Sequence, residues 1–236
     1  MGYGYGYGYY FDPTYILLII GVLLSLAASA KLKSTFAYYR RVHSASGLTG
    51  EEAARRILMA AGITDVQVRV ISGSLTDHYD PRNKTVNLSQ DIYGQTSLAA
   101  VGVAAHECGH AIQHAVNYGP LEVRSALVPA ANLGSSLSWP LFLIGLIAGI
   151  RPLTTAGIVL FSLAVLFQLV TLPVEFNASS RALKMLQSTG ILGMDETKGA
   201  RKVLTAAAMT YVAALAASIL QLLRLLILAG GRRRDD

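Results

Sequence analysis

The sequence predicts a mainly α-helical integral membrane protein with a small α+β domain held outside the bilayer. Three observations carry that prediction. Hydrophobic residues make up 53% of the 236-residue chain and charged residues only 14%, where a soluble domain carries about 25% charged residues. The deficit is concentrated in long apolar runs, which predict three to four transmembrane helices. One polar stretch between the runs combines an amphipathic helix, two short strands and the pentapeptide His106-Glu107-Cys108-Gly109-His110.

Residues 1–11 alternate glycine with tyrosine, a pattern that builds no packed core and reads as a disordered head. Residues 15–30 form the first apolar run. No basic segment precedes it, so it reads as an anchor rather than a signal peptide. Residues 31–124 read as the soluble domain. Within it Thr49 and Glu52 have the spacing of a capping box, Ala53, Ala54, Ile57, Leu58 and Ala61 continue an apolar stripe, and Gly62 ends the helix. Val66, Val68 and Val70 alternate with polar neighbours as a strand does, and Thr85–Ser89 is a second strand beyond the Asp80-Pro81 turn. The pentapeptide falls on a helix expected over about 97–118.

Residues 126–150 and 153–174 are the second and third spans, joined at Arg151-Pro152. The polar segment at 175–202 that follows carries the third-ligand candidate and reads as a cytoplasmic helix. The run at 203–229 is a fourth transmembrane or interfacial helix, and a charged tail closes the chain at 230–236. Arg224 inside that last run reads as a snorkelling residue. Nothing basic precedes the first span, whereas Lys31, Lys33, Arg40 and Arg41 follow it. The positive-inside rule therefore puts the N-terminus outside and the domain in the cytoplasm of a multi-pass cell-membrane protein. The C-terminal arginines disagree with that rule if the last run crosses.

Net charge is +6, but the basic residues flank apolar runs and show no aromatic interleaving, so they do not form a nucleic-acid surface. Cys108 is the single cysteine, which excludes an intrachain disulfide. It lies about 200° around the helix from His106 and reads as a packed core thiol.

Residues i and i+4 of a helix share one face, about 6 Å apart along the axis. His106 and His110 can therefore grip one zinc ion, with Glu107 placed as general base toward a bound water. A catalytic zinc site needs a third protein ligand. His114 lies roughly 12 Å along the helix from His106, too far to share an ion. His78 could reach in from a loop. Glu175, at the end of the third span, is the better candidate: two crossings separate it from the motif helix, which returns it to the same side.

Several separated stretches occur in order: Ser46-Gly47-Leu48-Thr49-Gly50, Leu75 to Pro81, Ala104 to His114, and Pro173 to Ser179. Over residues 15–230 the chain resembles the neutral zinc metallopeptidases of bacterial membranes, the YugP type. That resemblance implies a gluzincin-like site in a zincin-like domain, with one zinc per chain on His106, His110 and Glu175 and with Glu107 as base. More distantly related membrane zinc proteases place an Asp four residues after the ligand Glu. Here that position is Ser179, and Asn177 or Asn132 is the expected substitute.

The expected function is a membrane-embedded endopeptidase that hydrolyses peptide bonds with a zinc-activated water and Glu107 as general base. The alternative is a non-catalytic zinc-binding scaffold. The expected partners are a membrane-associated polypeptide substrate and the lipid bilayer, with no nucleic acid; a homo-oligomer is left open. Tyr79, His78, Tyr118 and Arg181 are the candidate oxyanion donors by residue type, and the Thr85–Ser89 strand is expected to be an edge that pairs with an extended substrate.

Overall fold

The computed structural model describes residues 12–231. The Gly-Tyr head at 1–11 and all but the first residues of the charged tail lie outside the described residues. The elements in order are α1 (Tyr15–Tyr39), α2 (Gly50–Ala60), β1 (Gln67–Ile71), β2 (His78–Asp80), β3 (Thr85–Ser89), α3 (Gln90–Tyr93), α4 (Leu98–Ala115), α5 (Gly119–Ala148), α6 (Arg151–Ser188) and α7 (Met194–Gly231).

The small domain forms where the local signals agree. Thr49 and Glu52 make the expected capping box: the Glu52 N–H donates to Thr49 Oγ1 at 3.2 Å, and the Thr49 N–H donates to Glu52 Oε2 at 2.8 Å. Gly62 follows the helix at φ +73°, a conformation that suits glycine. The sheet order is β1-β3-β2, with β1 parallel and β2 antiparallel to β3. β3 is therefore the central strand, not the expected edge. It takes both pairings because its five residues are buried throughout, whereas the three-residue β2 lies at the rim.

The core joins Ala53 and Ile57 of α2, Val86 and Leu88 of β3 and Val101 and Ala105 of α4. It also takes in Leu186 of α6, Ile191 and Leu192 of the α6–α7 corner, and Val203 of α7. The domain is thus completed by a corner far along the chain. Gly190 turns that corner at φ +69°.

Among the described residues, four helices are long and apolar enough to cross a membrane: Tyr15–Tyr39, Gly119–Ala148, Arg151–Ser188 and Met194–Gly230. α5 begins directly at Gly119 with Pro120 in its first turn, where a missing N–H costs nothing. α4 accordingly stops at Ala115, and Asn117 turns the chain at φ +49°. α6 does not end with its apolar stretch but runs on for 38 residues through Glu175 to Ser188.

α7 packs antiparallel along α1: Gly21 meets Ala217, and Tyr39 meets Gly199. Arg224 does not snorkel. It is buried, donates from Nε to Thr14 Oγ1 at 3.2 Å, lies 3.6 Å from Asp12 and sits 4.4 Å from the centre of the Tyr15 ring. The helix start that carries Asp12 and Thr14 lies within its reach, so an ion pair replaces the excursion to water.

Candidate metal centre

The centre lies where α4 crosses α6. Ser97 caps α4 by accepting the Ala100 N–H at 3.2 Å, and the helix carries His106 and His110 on one face. α6 supplies Glu175. The two helices touch at Gly109, where any side chain would run into the backbone of Ala178. That close approach brings the carboxylate to the imidazoles.

His106 Nε2 lies 3.3 Å and His110 Nε2 3.8 Å from the same Glu175 oxygen, Oε2. One ligand atom from each of the three residues falls within 4.8 Å of the others. A tetrahedral ion with bonds of about 2.0–2.2 Å holds its ligand atoms roughly 3.3–3.6 Å apart, close to the two distances that join the imidazoles to Glu175. The side chains are 16%, 12% and 4% exposed, which keeps the donors dry except toward the cleft.

Both histidines are aimed from behind, as metal-binding imidazoles are. His106 Nδ1–H donates to Ser179 Oγ at 3.1 Å and His110 Nδ1–H donates to Gln113 Oε1 at 3.0 Å, in the tautomers that leave each Nε2 lone pair free. The Gln113 amide in turn donates to the Val174 carbonyl at 2.8 Å and to Asn177 Oδ1 at 3.0 Å. Arg181 Nε donates to that same Asn177 oxygen at 2.7 Å. Ser179 itself thus supports His106. Asn177 acts one step removed, through Gln113, and Asn132 is exposed on α5 and does not line the cleft onto which the histidines open.

His78 and His114 do not join the cluster. His78 Nδ1 lies 2.9 Å from the Thr76 carbonyl and its Nε2 is 3.2 Å from Asn87 Nδ2. His114 Nδ1 meets the Tyr79 hydroxyl at 2.9 Å. Cys108 is fully buried, with Sγ 3.5 Å from the Ala54 carbonyl. Burial pushes its thiol well above the ordinary range, so it is neither ligand nor nucleophile.

The three donors open onto a cleft of about 950 Å³ lined by β2, by Tyr118 and by the first turns of α5. Glu107 is buried at 7% exposure and lines this cleft. Asp77 borders it too: burial raises its carboxyl above the usual range, against the Ser89 N–H and hydroxyl that donate to it.

Two further residues face the site. Arg124 of α5 places Nη1 3.9 Å from Glu175 Oε1. Tyr211 of α7 lines the cleft and a second cavity of about 150 Å³ that adjoins His106, Glu107 and Glu175. Sequence reasoning missed both. Arg124 reads as a charge flanking a span, and Tyr211 lies deep in an apolar run, so neither carries a local signal. Of the expected oxyanion donors, Tyr79, His78 and Tyr118 border the cleft, while Arg181 is turned away toward Asn177 and the Tyr118 ring.

Comparison with known proteins agrees with this chemistry. The chain belongs to the family described as "Putative neutral zinc metallopeptidase", which matches residues 14–230. It is 49% identical over 220 residues to the "Putative membrane protease YugP" of Bacillus subtilis (strain 168), covering 92% of this chain and 98% of that protein. No solved structure matches. Zinc is therefore the metal that the His106, His110 and Glu175 donor set is suited to hold.

Proposed function

We propose that the chain is a multi-pass membrane zinc endopeptidase, in which His106, His110 and Glu175 hold one zinc ion and Glu107 is the general base. The observation that carries this reading is the convergence of the three donors at the floor of an open cleft, with the Glu107 carboxylate buried beside them.

Bound zinc supplies Lewis acidity, lowering the pKa of water toward about 7 and polarising the scissile carbonyl. The remaining work falls to the protein. Glu107 takes the proton of the attacking water and passes it to the leaving amine. Ser179 and Gln113 fix the two imidazoles through their Nδ1–H groups. Arg124 and Tyr211 border the reacting centre and are the donors best placed to meet negative charge on the carbonyl oxygen. β2 lies at the rim of the sheet and lines the cleft. Its free edge can pair with an extended substrate backbone, in the role expected of Thr85–Ser89.

Lys31 and Lys33 of α1 and Arg201 and Lys202 of α7 mark the domain end of both helices. By the positive-inside rule this end, and the catalytic cleft with it, faces the cytoplasm.

Glu107→Gln tests the reading. The variant should keep about one zinc per chain, and cleavage of a casein-derived peptide by the purified, detergent-solubilised protein should fall by about 10²–10⁴-fold. Equal cleavage in both forms would remove Glu107 from the chemistry. Zinc without cleavage in either form would favour a scaffold.

A further inference from the structure

The apolar helices stand in a row, α1 against α7, α7 against α6 and α6 against α5. The row is curved, because one groove of about 430 Å³ is lined by Leu18 and Ser25 of α1, Trp139 of α5, Phe161 of α6, and Ser218 and Gln221 of α7. This wall is not purely apolar. Gln221 is only 9% exposed, and neither its amide nitrogen nor its amide oxygen has a hydrogen-bond partner among the described residues. In a hydrocarbon environment an amide left in that state is costly. Both amide atoms lie beneath the groove wall and meet an occupant once the side chain turns outward; an acyl chain then offers them nothing, whereas a second helix with an Asn, Gln, Ser or Thr at that depth offers both donor and acceptor. The serines of α1 and α7 leave room for a helix backbone to come close.

The groove lies in line with the catalytic cleft along the faces of two helices. Val128 of α5 lines the cleft and Trp139 the groove. Their spacing puts them about 20° apart around the helix and about 16 Å apart along it. On α7, Tyr211 lines the cleft and Ser218 the groove, again about 20° apart and about 10 Å along the axis. Between Val128 and Trp139 the same face of α5 presents Asn132 and Ser135, both exposed. Polar side chains along a lipid-facing surface mark a path rather than a packing face.

We propose that this groove seats a transmembrane helix of the substrate, and that the polar face of α5 leads the unwound end of that helix up to the metal centre. That the seated helix is a substrate rests on the peptidase reading; the seating itself does not. A gap of about 10–16 Å is bridged by roughly three to five extended residues. Cleavage is therefore expected three to five residues beyond the end of the seated helix.

Trp139 is the only tryptophan in the chain, so the groove carries its own reporter. The full chain with Glu107→Gln is reconstituted into phosphatidylcholine vesicles with brominated acyl chains, which quench an indole that touches lipid. The probe is a tryptophan-free Leu-Ala transmembrane peptide with one mid-span asparagine and an extended tail; a matched peptide lacks the asparagine. Trp139 emission should recover saturably, with the asparagine probe half-saturating at about 3–10-fold lower mole fraction. Gln221→Leu should abolish that preference while the emission still recovers. Unchanged emission at excess probe means lipid fills the groove and overturns the proposal. Emission that is already unquenched without probe, and becomes quenched on dilution into more lipid, assigns the groove to a second copy and also overturns it. With Glu107 restored, the anchored probe should be cut faster than its free tail. If emission recovers but neither is cut, the seating stands and the substrate assignment falls with the peptidase reading.

Discussion

Gly109→Ala should separate metal binding from folding. Gly109 is the point where α4 and α6 touch. A Cβ there would lie 3.0 Å from the Ala178 carbonyl carbon and 3.1 Å from its Cα, and closer still to the carbonyl oxygen. Ordinary carbon contacts are about 3.5–4.0 Å. The opposing atoms are backbone, so no rotamer change relieves the overlap, and the helices must part by about 0.5–1 Å. Ala178 lies one helical turn from Glu175, whose Oε2 is 3.3 Å from His106 Nε2. Zinc–ligand distances tolerate about ±0.2 Å. The displacement exceeds that tolerance several-fold.

Folding should suffer less. Overpacking costs about 1–3 kcal/mol, and alanine in place of a helical glycine returns about 0.5–1 kcal/mol. The expected outcome is a Tm lowered by a few degrees and a zinc affinity lowered about 10–100-fold, the size of effect seen when a ligand loses its support. Competition with a chromophoric chelator measures the affinity, and thermal unfolding in the same detergent measures the Tm. Zinc affinity within about threefold of the parent's would refute the reasoning, because the α4–α6 contact would then not set the ligand spacing.

Ser179→Ala removes the acceptor of the His106 Nδ1–H and should weaken zinc binding about 10-fold, while Ser179→Asp should restore it; equal affinity in all three forms would show that His106 is oriented by packing alone. Arg124→Met should keep about one zinc per chain and lower kcat about 100-fold, as loss of an oxyanion donor does; an unchanged kcat would remove Arg124 from the reaction. The topology is open to labelling with a membrane-impermeant maleimide, since the native thiol is buried. A cysteine at Ser46 should react only after the cytoplasmic face is exposed and one at Gly149 should react in intact cells, with the reverse pattern inverting the orientation.

Much of this fold is written in local signals, and the part that is not shares one cause. The capping box at Thr49, the strand at Thr85–Ser89 and the histidine pair one turn apart each depend on neighbours within a few residues, so the sequence shows them directly. Strand order does not work that way. β3 is central because its whole surface is buried between α4 and its two partners, and no single-strand pattern tells a central strand from an edge. The site divides along the same line. Glu175 and Ser179 repeat on α6 the one-turn spacing of His106 and His110 on α4, which makes Ser179 legible wherever α6 is taken to continue past its apolar stretch. Dividing α6 at Val174 into a span and a separate cytoplasmic helix hides that spacing. Gln113 was within reach too, one turn beyond His110 on the same face. Arg124 and Tyr211 were not. They reach Glu175 only because α5 and α7 flank α6, and the order of helices in a membrane row is fixed by close contacts such as Gly157 against Phe142 and Gly21 against Ala217. Residues that meet the reacting atoms from those outer helices are set by assembly, so the substrate-facing half of the cleft becomes readable only after the ligand-bearing half has been folded.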